Sequence, residues 1–103
     1  MLGFFNKLFG GGEKIDLKTI LQENAFLVDV RTPAEFASGH LKGSVNIPLD
    51  CISVQIAKFK NKGNIVVYCR SGNRSRMAKS ILETNGIQNV YNGGGIDELR
   101  SLT

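Results

Sequence analysis

Four short runs of mostly apolar residues predict the strands of this chain. Residues 26–30 and 65–68 are too short and too uniformly apolar for amphipathic helices, and they are typical of strands buried on both faces. Residues 45–47, which Pro48 stops, and residues 89–91 give weaker signals of the same kind. We therefore expect a small sheet that lies mostly in the interior.

Helix signals occupy the segments between these runs. Asp16 can cap a helix that extends to about residue 23, and Thr32 with Glu35 has the form of a capping box that starts a short helix ending near Gly39. Between residues 49 and 59, apolar residues recur with the 3.6-residue period of an α-helix. The core-facing residues of this predicted helix are Leu49, Ile52, Ile56 and Phe59.

The segment that follows residues 65–68 predicts the longest helix. Its expected buried face contains Met77, Ala78, Ile81 and Leu82, and its expected outer face contains Arg76, Lys79 and Glu83. Gly86 can end this helix in the left-handed conformation. The triplet at residues 93–95 predicts a tight glycine loop, and residues 96–102 predict a terminal helix. Strands that alternate with helices predict an α/β fold around a parallel sheet.

Length and composition indicate one domain. The 103 residues, 42% of them hydrophobic, can form one compact core but not two. We expect this domain at residues 13–103, preceded at residues 1–12 by an apolar segment that ends in a glycine-rich joint. The segment is too short to span a bilayer, so we expect no transmembrane segment. Packing on its own domain, or a loose tail, is favoured over contact with a membrane surface or a protein partner.

Charge and cysteine content favour a small anionic substrate. Seven basic residues and no acidic residue lie between Cys51 and Leu82. They gather around one glycine-containing loop instead of forming a stripe interleaved with aromatic residues, which argues against nucleic acid. The chain contains neither a disulfide framework nor a cysteine and histidine cluster with metal-ligand spacing. We therefore predict a reducing, cytoplasmic environment, with no metal and no cofactor.

Cys69 stands where a predicted strand ends and a helix begins. A cysteine thiol titrates at about 8.5, so a catalytic cysteine needs groups that stabilise its thiolate. Unpaired amides at the start of the helix, a turn that curls further amides inward, and the charges of Arg70 and Arg74 could provide them. Gly72 would let the loop adopt a positive φ. A buried structural cysteine is the alternative, but the cationic glycine-containing turn favours a functional one.

Three sequence blocks occur in order at residues 27–48, 69–75 and 90–99. Together they resemble the single-domain rhodaneses, a family of sulfurtransferases, and the resemblance covers nearly all of residues 13–103. It implies a three-layer α/β/α fold with a central, mainly parallel sheet. It also implies that Cys69 takes a sulfane sulfur from an anionic donor such as thiosulfate, becomes a persulfide, and passes the sulfur to cyanide or a cellular thiol.

The resemblance also suggests roles for individual residues. Cys69 would be the nucleophile and sulfur carrier, while Arg70 and Arg74 would hold the anionic end of the donor. The backbone amides that cradle the persulfide would come from Arg70, Ser71, Gly72, Asn73, Arg74 and Ser75. A framework without a chemical role would shape the pocket through buried polar pairing, and its members are Asp29, Arg31, Glu35 and His40. Ile96 departs from the aromatic residue that many members carry at that position.

Two other readings of the chain stay open. Cysteine-based phosphatases and arsenate reductases have five residues between the cysteine and the arginine of their active-site loop. In this chain only four residues lie between Cys69 and Arg74. The shorter loop favours a single added sulfur over a phosphate or arsenate. A rhodanese-like module that only binds a partner is the other alternative, although such modules often lack the cysteine or the cationic loop.

Cys51 could serve as a resolving thiol near the pocket mouth, but an incidental cysteine is the preferred interpretation.

Overall fold

The computed structural model describes residues 16–103 and contains a four-stranded parallel sheet. The strands are β1 (Phe26–Asp29), β2 (Val45–Asn46), β3 (Ile65–Cys69) and β4 (Val90–Gly95), in the order β2-β1-β3-β4. All three strand pairs are parallel, so the predicted α/β class is confirmed. The prediction for residues 1–12 lies outside the described residues.

Within residues 16–103, four α-helices precede, connect or follow the strands. They are α1 (Leu17–Gln22), α2 (Pro33–Ala37), α3 (Asn73–Thr84) and α4 (Ile96–Arg100). Asp16 caps α1 by accepting a hydrogen bond from the Thr19 amide, and Thr32 with Glu35 forms the predicted capping box at α2. Between residues 16 and 103, none of the helices has the length and apolar character that crossing a bilayer would require.

Helices cover both faces of the sheet, which gives the three layers that the resemblance implied. Side chains alternate along β3, so Ile65, Val67 and Cys69 point to the layer that contains α3, while Val66 and Tyr68 point to the layer that contains α1 and α4. All five residues of β3 are buried. Because β3 lies between two neighbours and two helical layers, the position of Cys69 at its end is rigidly defined.

The prediction of one α-helix at residues 49–59 is wrong. Two 3₁₀-helices, Leu49–Val54 and Ile56–Phe59, occupy this segment, and they are separated by Gln55 at φ −124° and ψ 30°. Their backbone hydrogen bonds join residues three apart, such as the Gln55 amide with the Ile52 carbonyl. Ile52 and Phe59 are buried as predicted. Each lies three residues after another apolar residue of its own helix, Leu49 or Ile56, and a spacing of three is one full turn of a 3₁₀-helix.

The prediction for α3 is correct except at Met77. That side chain is 50% exposed, whereas Ala78 and Leu82 are fully buried. Gly86 ends the helix at φ +84°, as predicted. The Ile87 amide donates to the Leu82 carbonyl and the Gly86 amide to the Glu83 carbonyl, which is the hydrogen-bond pattern of a Schellman cap.

The glycine triplet at residues 93–95 belongs to β4, so the predicted tight loop is wrong. The register passes from Val67 opposite Asn92 to Tyr68 opposite Gly94, which leaves Gly93 as an extra residue in a bulge. A Cβ at Gly93 would lie 2.9 Å from a Val66 methyl group. Gly93 and Gly95 therefore allow close packing of backbone against neighbouring atoms, whereas Gly94 has a positive φ of +83°. The sequence alone does not distinguish these roles from turn formation.

Candidate active site

Cys69 is the last residue of β3 and lies directly before the loop that leads into α3. Gly72 occupies the N-cap of α3 in the left-handed conformation, at φ +100°, as the sequence predicted. This conformation turns the chain so that the amides of the first turn of α3 face back toward the cysteine. The site thus lies at the carboxyl ends of the parallel strands, where ligands bind in open α/β sheets.

The sulfur of Cys69 receives hydrogen bonds from the backbone. The Gly72 amide lies 3.0 Å from Sγ and the Ser75 amide 3.4 Å from it, and the Ser75 hydroxyl lies 3.5 Å away. Burial raises the pKa of the Cys69 thiol, but hydrogen bonds from the Ser75 hydroxyl and from the Ser75, Gly72 and Ser71 amides outweigh it, so the pKa lies below the usual value. The ring therefore favours an anion at Sγ.

The thiol is nevertheless well covered. Only 1% of the Cys69 surface is exposed, while Arg70, Ser71 and Asn73 on the rim of the loop are exposed. Solvent therefore has almost no direct access to Cys69 in this arrangement.

Arg74 forms an ion pair with Glu35 of α2. The Arg74 Nη1 to Glu35 Oε1 distance is 2.7 Å and the Nη2 to Oε2 distance is 3.1 Å, a bidentate arrangement. The Arg74 guanidinium is the main cause that lowers the pKa of Glu35 to about 2, with further hydrogen bonds from Thr32. Arg70, by contrast, is exposed and forms no ion pair within residues 16–103. Arg74 is thus held by an acidic partner, whereas Arg70 is exposed to solvent.

Asp29 and Arg31 form a buried ion pair at the end of β1. Arg31 Nη2 lies 2.7 Å from Asp29 Oδ2 and 2.6 Å from the carbonyl oxygen of Gly39, after α2. The hydrogen bond to Asp29 raises the pKa of Arg31. Together with the pair between Glu35 and Arg74, these contacts connect α2 and the residues after it to β1 and α3.

His40 does not form the buried polar contact that was expected for it as part of the pocket framework. Its side chain is exposed and its ring stacks on Phe36, with a centroid distance of 3.6 Å and an interplanar angle of 7°. Its Nδ1 lies 2.8 Å from the Phe36 carbonyl oxygen, which can only accept a hydrogen bond, so Nδ1 carries the proton. His40 therefore caps the C-terminal end of α2 through its hydrogen bond to the Phe36 carbonyl oxygen.

Comparisons with known proteins agree with this geometry. The family model described as "Rhodanese-like domain" matches residues 14–101. The chain belongs to the rhodanese family. It is 39% identical over 75 residues to a protein of Allochromatium vinosum named sulfurtransferase, covering 72% of this chain and 70% of that protein. It is 36% identical over 74 residues to the thiosulfate sulfurtransferase PspE of Escherichia coli, covering 70% of this chain and 71% of that protein.

Solved rhodanese structures share the fold. The structure titled "rhodanese with anions from E. coli" matches with a TM-score of 0.67 and 36% identity, covering 72% of this chain and 89% of that one. The human single-domain sulfurtransferase TSTD1 matches with a TM-score of 0.70 and 23% identity, over 86% of this chain and 95% of that one. The second likeness concerns the fold alone.

Two features of this rhodanese domain were not found by sequence reasoning. The Ser75 hydroxyl contacts the sulfur, in addition to the Ser75 amide. Asn92 of β4 contacts the same hydroxyl at 2.6 Å. An asparagine inside a glycine-rich strand is an unusual residue for that position, and this was the signal in the sequence that could have drawn attention to it.

Cys51 lies on the first 3₁₀-helix and packs, partly buried, against the core cluster that includes Cys69. Burial raises its pKa, and the Asp50 carboxylate raises it further. Its Sγ lies 3.7 Å from Asp50 Oδ1. The two thiols of the rhodanese domain therefore lie in environments with opposite effects on ionisation.

Two cavities lie at different parts of the domain. One of about 490 Å³ is bounded by Arg74 of α3. Its apolar lining residues are Val30 directly after β1, Pro48 and Leu49 at the start of the first 3₁₀-helix, and Ile81 of α3. A larger one of about 590 Å³ is lined by residues that precede β3 and β4, such as Lys62 and Asn89. Of these two, the smaller one borders Arg74, close to the cysteine loop. No group of histidine, cysteine or acidic residues within residues 16–103 is arranged to hold a metal ion.

Proposed function

We propose that this protein is a sulfurtransferase that carries a sulfane sulfur on Cys69. The observation that carries the proposal is the ring around Sγ, with the Gly72 amide at 3.0 Å and the Ser75 amide at 3.4 Å. Backbone dipoles fixed in this way stabilise a thiolate without a neighbouring base. The named relatives, which are sulfurtransferases, support the same reaction class.

The first half-reaction moves sulfur from the donor to Cys69. The thiolate attacks the outer sulfur of thiosulfate, a new S–S bond forms to Sγ, and the bond between the two donor sulfurs breaks. Sulfite leaves with the bonding electron pair. The same amides that stabilise the thiolate then face the persulfide, so the ring serves both forms of the cysteine.

The second half-reaction returns the cysteine to its starting state. A thiophilic acceptor, such as cyanide or a cellular thiol, attacks the terminal sulfur of the persulfide. The S–S bond to Sγ breaks and the Cys69 thiolate leaves with the electron pair. Cyanide becomes thiocyanate and a thiol becomes a persulfide, so the cycle closes without an external oxidant or reductant.

The two arginines have separate roles in this proposal. Arg70 is exposed at the rim of the ring, and its guanidinium can contact the sulfonate oxygens of thiosulfate. Arg74 adds a positive field near Cys69 while it is held by Glu35. Both remain substrate-binding residues, as the resemblance implied, but we assign the direct contact with the donor to Arg70.

A comparison of two activities tests the reaction class. We expect the protein to form thiocyanate from thiosulfate and cyanide, and to release no p-nitrophenol from p-nitrophenyl phosphate. Turnover of the ester without thiocyanate would replace the proposal by a phosphatase. Inactivity in both assays, with the protein folded, would favour a module that only binds a partner.

A further inference from the structure

The hydroxyl of Ser75 has one proton and three acceptors close to it. Its Oγ lies 2.6 Å from Asn92 Oδ1, 3.1 Å from the Gly72 carbonyl oxygen and 3.5 Å from Cys69 Sγ. Ser75 is fully buried, so the competition is decided by these protein groups. Because a hydroxyl has a single hydrogen to donate, the three acceptors compete for it.

The orientation of the Asn92 amide decides this competition. The Gly94 amide donates to Asn92 Oδ1 at 2.9 Å, and Asn92 Nδ2 donates to the Gly72 carbonyl oxygen at 3.3 Å. A backbone N–H requires an acceptor and a carbonyl oxygen requires a donor, so both contacts fix the amide with Oδ1 toward Ser75. Since Oδ1 carries no hydrogen, the short contact exists only when Ser75 donates its proton to Asn92.

This donation has a consequence for the cysteine. While the Ser75 proton points to Asn92, a lone pair of Ser75 Oγ faces Cys69 and can accept the thiol proton. When the sulfur is ionised, it becomes a stronger acceptor than the neutral amide oxygen. Rotation of the hydroxyl then brings the Ser75 proton to Sγ, at the cost of the hydrogen bond to Asn92.

We propose that Asn92 is a positioning residue that controls the charge on Cys69 through the hydroxyl of Ser75. The inference rests on the proposed role of Cys69 as sulfur carrier. The Ser75 hydroxyl donates to Sγ when Sγ is a thiolate, before attack on the donor and after release of sulfur to the acceptor. It donates to Asn92 while Sγ is bonded to the second sulfur. The acceptor of the Ser75 hydrogen bond thus changes with the charge on Sγ, while Ser75 keeps its proton throughout the cycle.

An uncharged substitution at Asn92 changes none of the charged residues on the surrounding elements. They are Arg70 on the loop, Arg74 of α3 with its partner Glu35, the pair of Asp29 and Arg31 after β1, Asp50 of the first 3₁₀-helix and Glu98 of α4. A change in the ionisation of Cys69 in an uncharged Asn92 variant therefore reports on the contact with Ser75.

The pH dependence of alkylation by iodoacetamide tests the proposal. Cys51→Ser removes the second thiol and provides the background for every variant. We expect Asn92→Ala to lower the pKa of Cys69, because it removes the nearest competing acceptor and leaves only the Gly72 carbonyl oxygen to compete with Sγ for the Ser75 proton. The expected shift is of the order of one pH unit, which is a tenfold change in thiolate population. Asn92→Asp should raise the pKa, since a carboxylate holds the proton more strongly and adds a negative charge.

A second set of variants separates positioning from structure. In a Ser75→Ala background, Asn92→Ala should no longer shift the pKa of Cys69, because the group that transmits the effect is missing. Equal shifts with and without Ser75, or no shift in either Asn92 variant when circular dichroism shows them folded, would overturn the proposal. Asn92→Asp preserves side-chain volume and covers the case in which Asn92→Ala does not fold. Alkylation needs no sulfur donor, so its result is independent of whether sulfur transfer occurs.

Discussion

Cys69 is the nucleophile in the proposed reaction, and the chain offers one other thiol, Cys51, for comparison. Cys69→Ser should abolish thiocyanate formation and leave the fold intact, because the two side chains are similar in size but a serine hydroxyl does not ionise usefully at neutral pH. Cys51→Ser is the matched control and should retain full activity. Turnover assays and circular dichroism on both variants check this. Activity that survives in Cys69→Ser would refute the assigned nucleophile.

Arg70 is the residue to which we assign contact with the donor anion. Arg70→Ala should raise KM for thiosulfate about tenfold or more and change kcat less, since a charge-assisted hydrogen bond contributes about 1.5–3 kcal/mol. Arg76 is also exposed and lies in the first turn of α3, so Arg76→Ala provides a control of equal charge change. Steady-state kinetics with varied thiosulfate measures both. Equal KM increases in the two variants would show that only the general positive field matters.

At the level of single residues, local features of the site could be predicted and distant partners could not. The positive φ of Gly72 and the amides around Cys69 follow from a loop that precedes a helix, and sequence reasoning found both. The contact between Ser75 and Asn92 joins residues 17 positions apart, and the pair of Glu35 with Arg74 joins residues 39 positions apart. Such pairs depend on strand register and helix packing, which no local pattern specifies.

The elements α2 and α3 are joined by the pair of Glu35 and Arg74. The pKa of Glu35 is about 2 in the folded protein, against an ordinary value of 4.5. A carboxylate with a lowered pKa contributes stability that is complete above its unfolded-state pKa and is lost as pH falls toward its folded-state pKa. We therefore expect thermal stability to fall between about pH 4.5 and pH 2 partly through this group, and Glu35→Gln should reduce that fall.

Another glutamate of the chain provides the control for this prediction. Glu83 pairs with Lys79 four residues earlier on the surface of α3, and its side chain is 50% exposed, against 28% for Glu35. Exposed pairs of this kind contribute little to stability, so Glu83→Gln should leave the pH dependence of the melting temperature nearly unchanged. The prediction fails if both glutamine variants show the same acid profile as the unmodified protein.

Strand β4 holds the cysteine loop in place through Gly95. A Cβ at this position would lie 2.6 Å from the carbonyl oxygen of Arg70, so Gly95→Ala should push the loop away from β4 and lower both stability and sulfur transfer. Gly43→Ala is the control, because Gly43 has a positive φ of +85° but no atom within 4 Å of its Cβ position. We expect Gly43→Ala to cost of the order of 1 kcal/mol in stability and to retain activity. Normal activity in Gly95→Ala would contradict the close-packing argument.

Element types could be predicted where one physical signal dominates. The capping box at Thr32 and Glu35 and the apolar run of β3 gave correct assignments. The segment at residues 49–59 was misassigned because apolar spacing does not distinguish an α-helix from two 3₁₀-helices. The glycines at residues 93–95 were misassigned because the close packing at Gly93 and Gly95 involves Val66 and Arg70, which are distant in sequence.

At the scale of the whole molecule, the sheet and its two helical layers place the cysteine loop. The central strand β3 lies between β1 and β4 and ends at Cys69, while α3 begins where the loop returns. Helix α2 is tied to β1 through Arg31 and to α3 through Glu35. The architecture could be anticipated from the alternation of strand and helix signals, whereas the ion pairs that hold the loop required the three-dimensional arrangement.

The central claim is that Cys69 accepts one sulfur atom and releases it again. Intact-protein mass spectrometry before and after treatment with thiosulfate measures this directly, and Cys51→Ser provides a form with a single thiol. We predict a mass gain of one sulfur that is lost when cyanide is added and that is absent in Cys69→Ser. No mass gain in the folded protein, or a gain that persists in Cys69→Ser, would contradict the account.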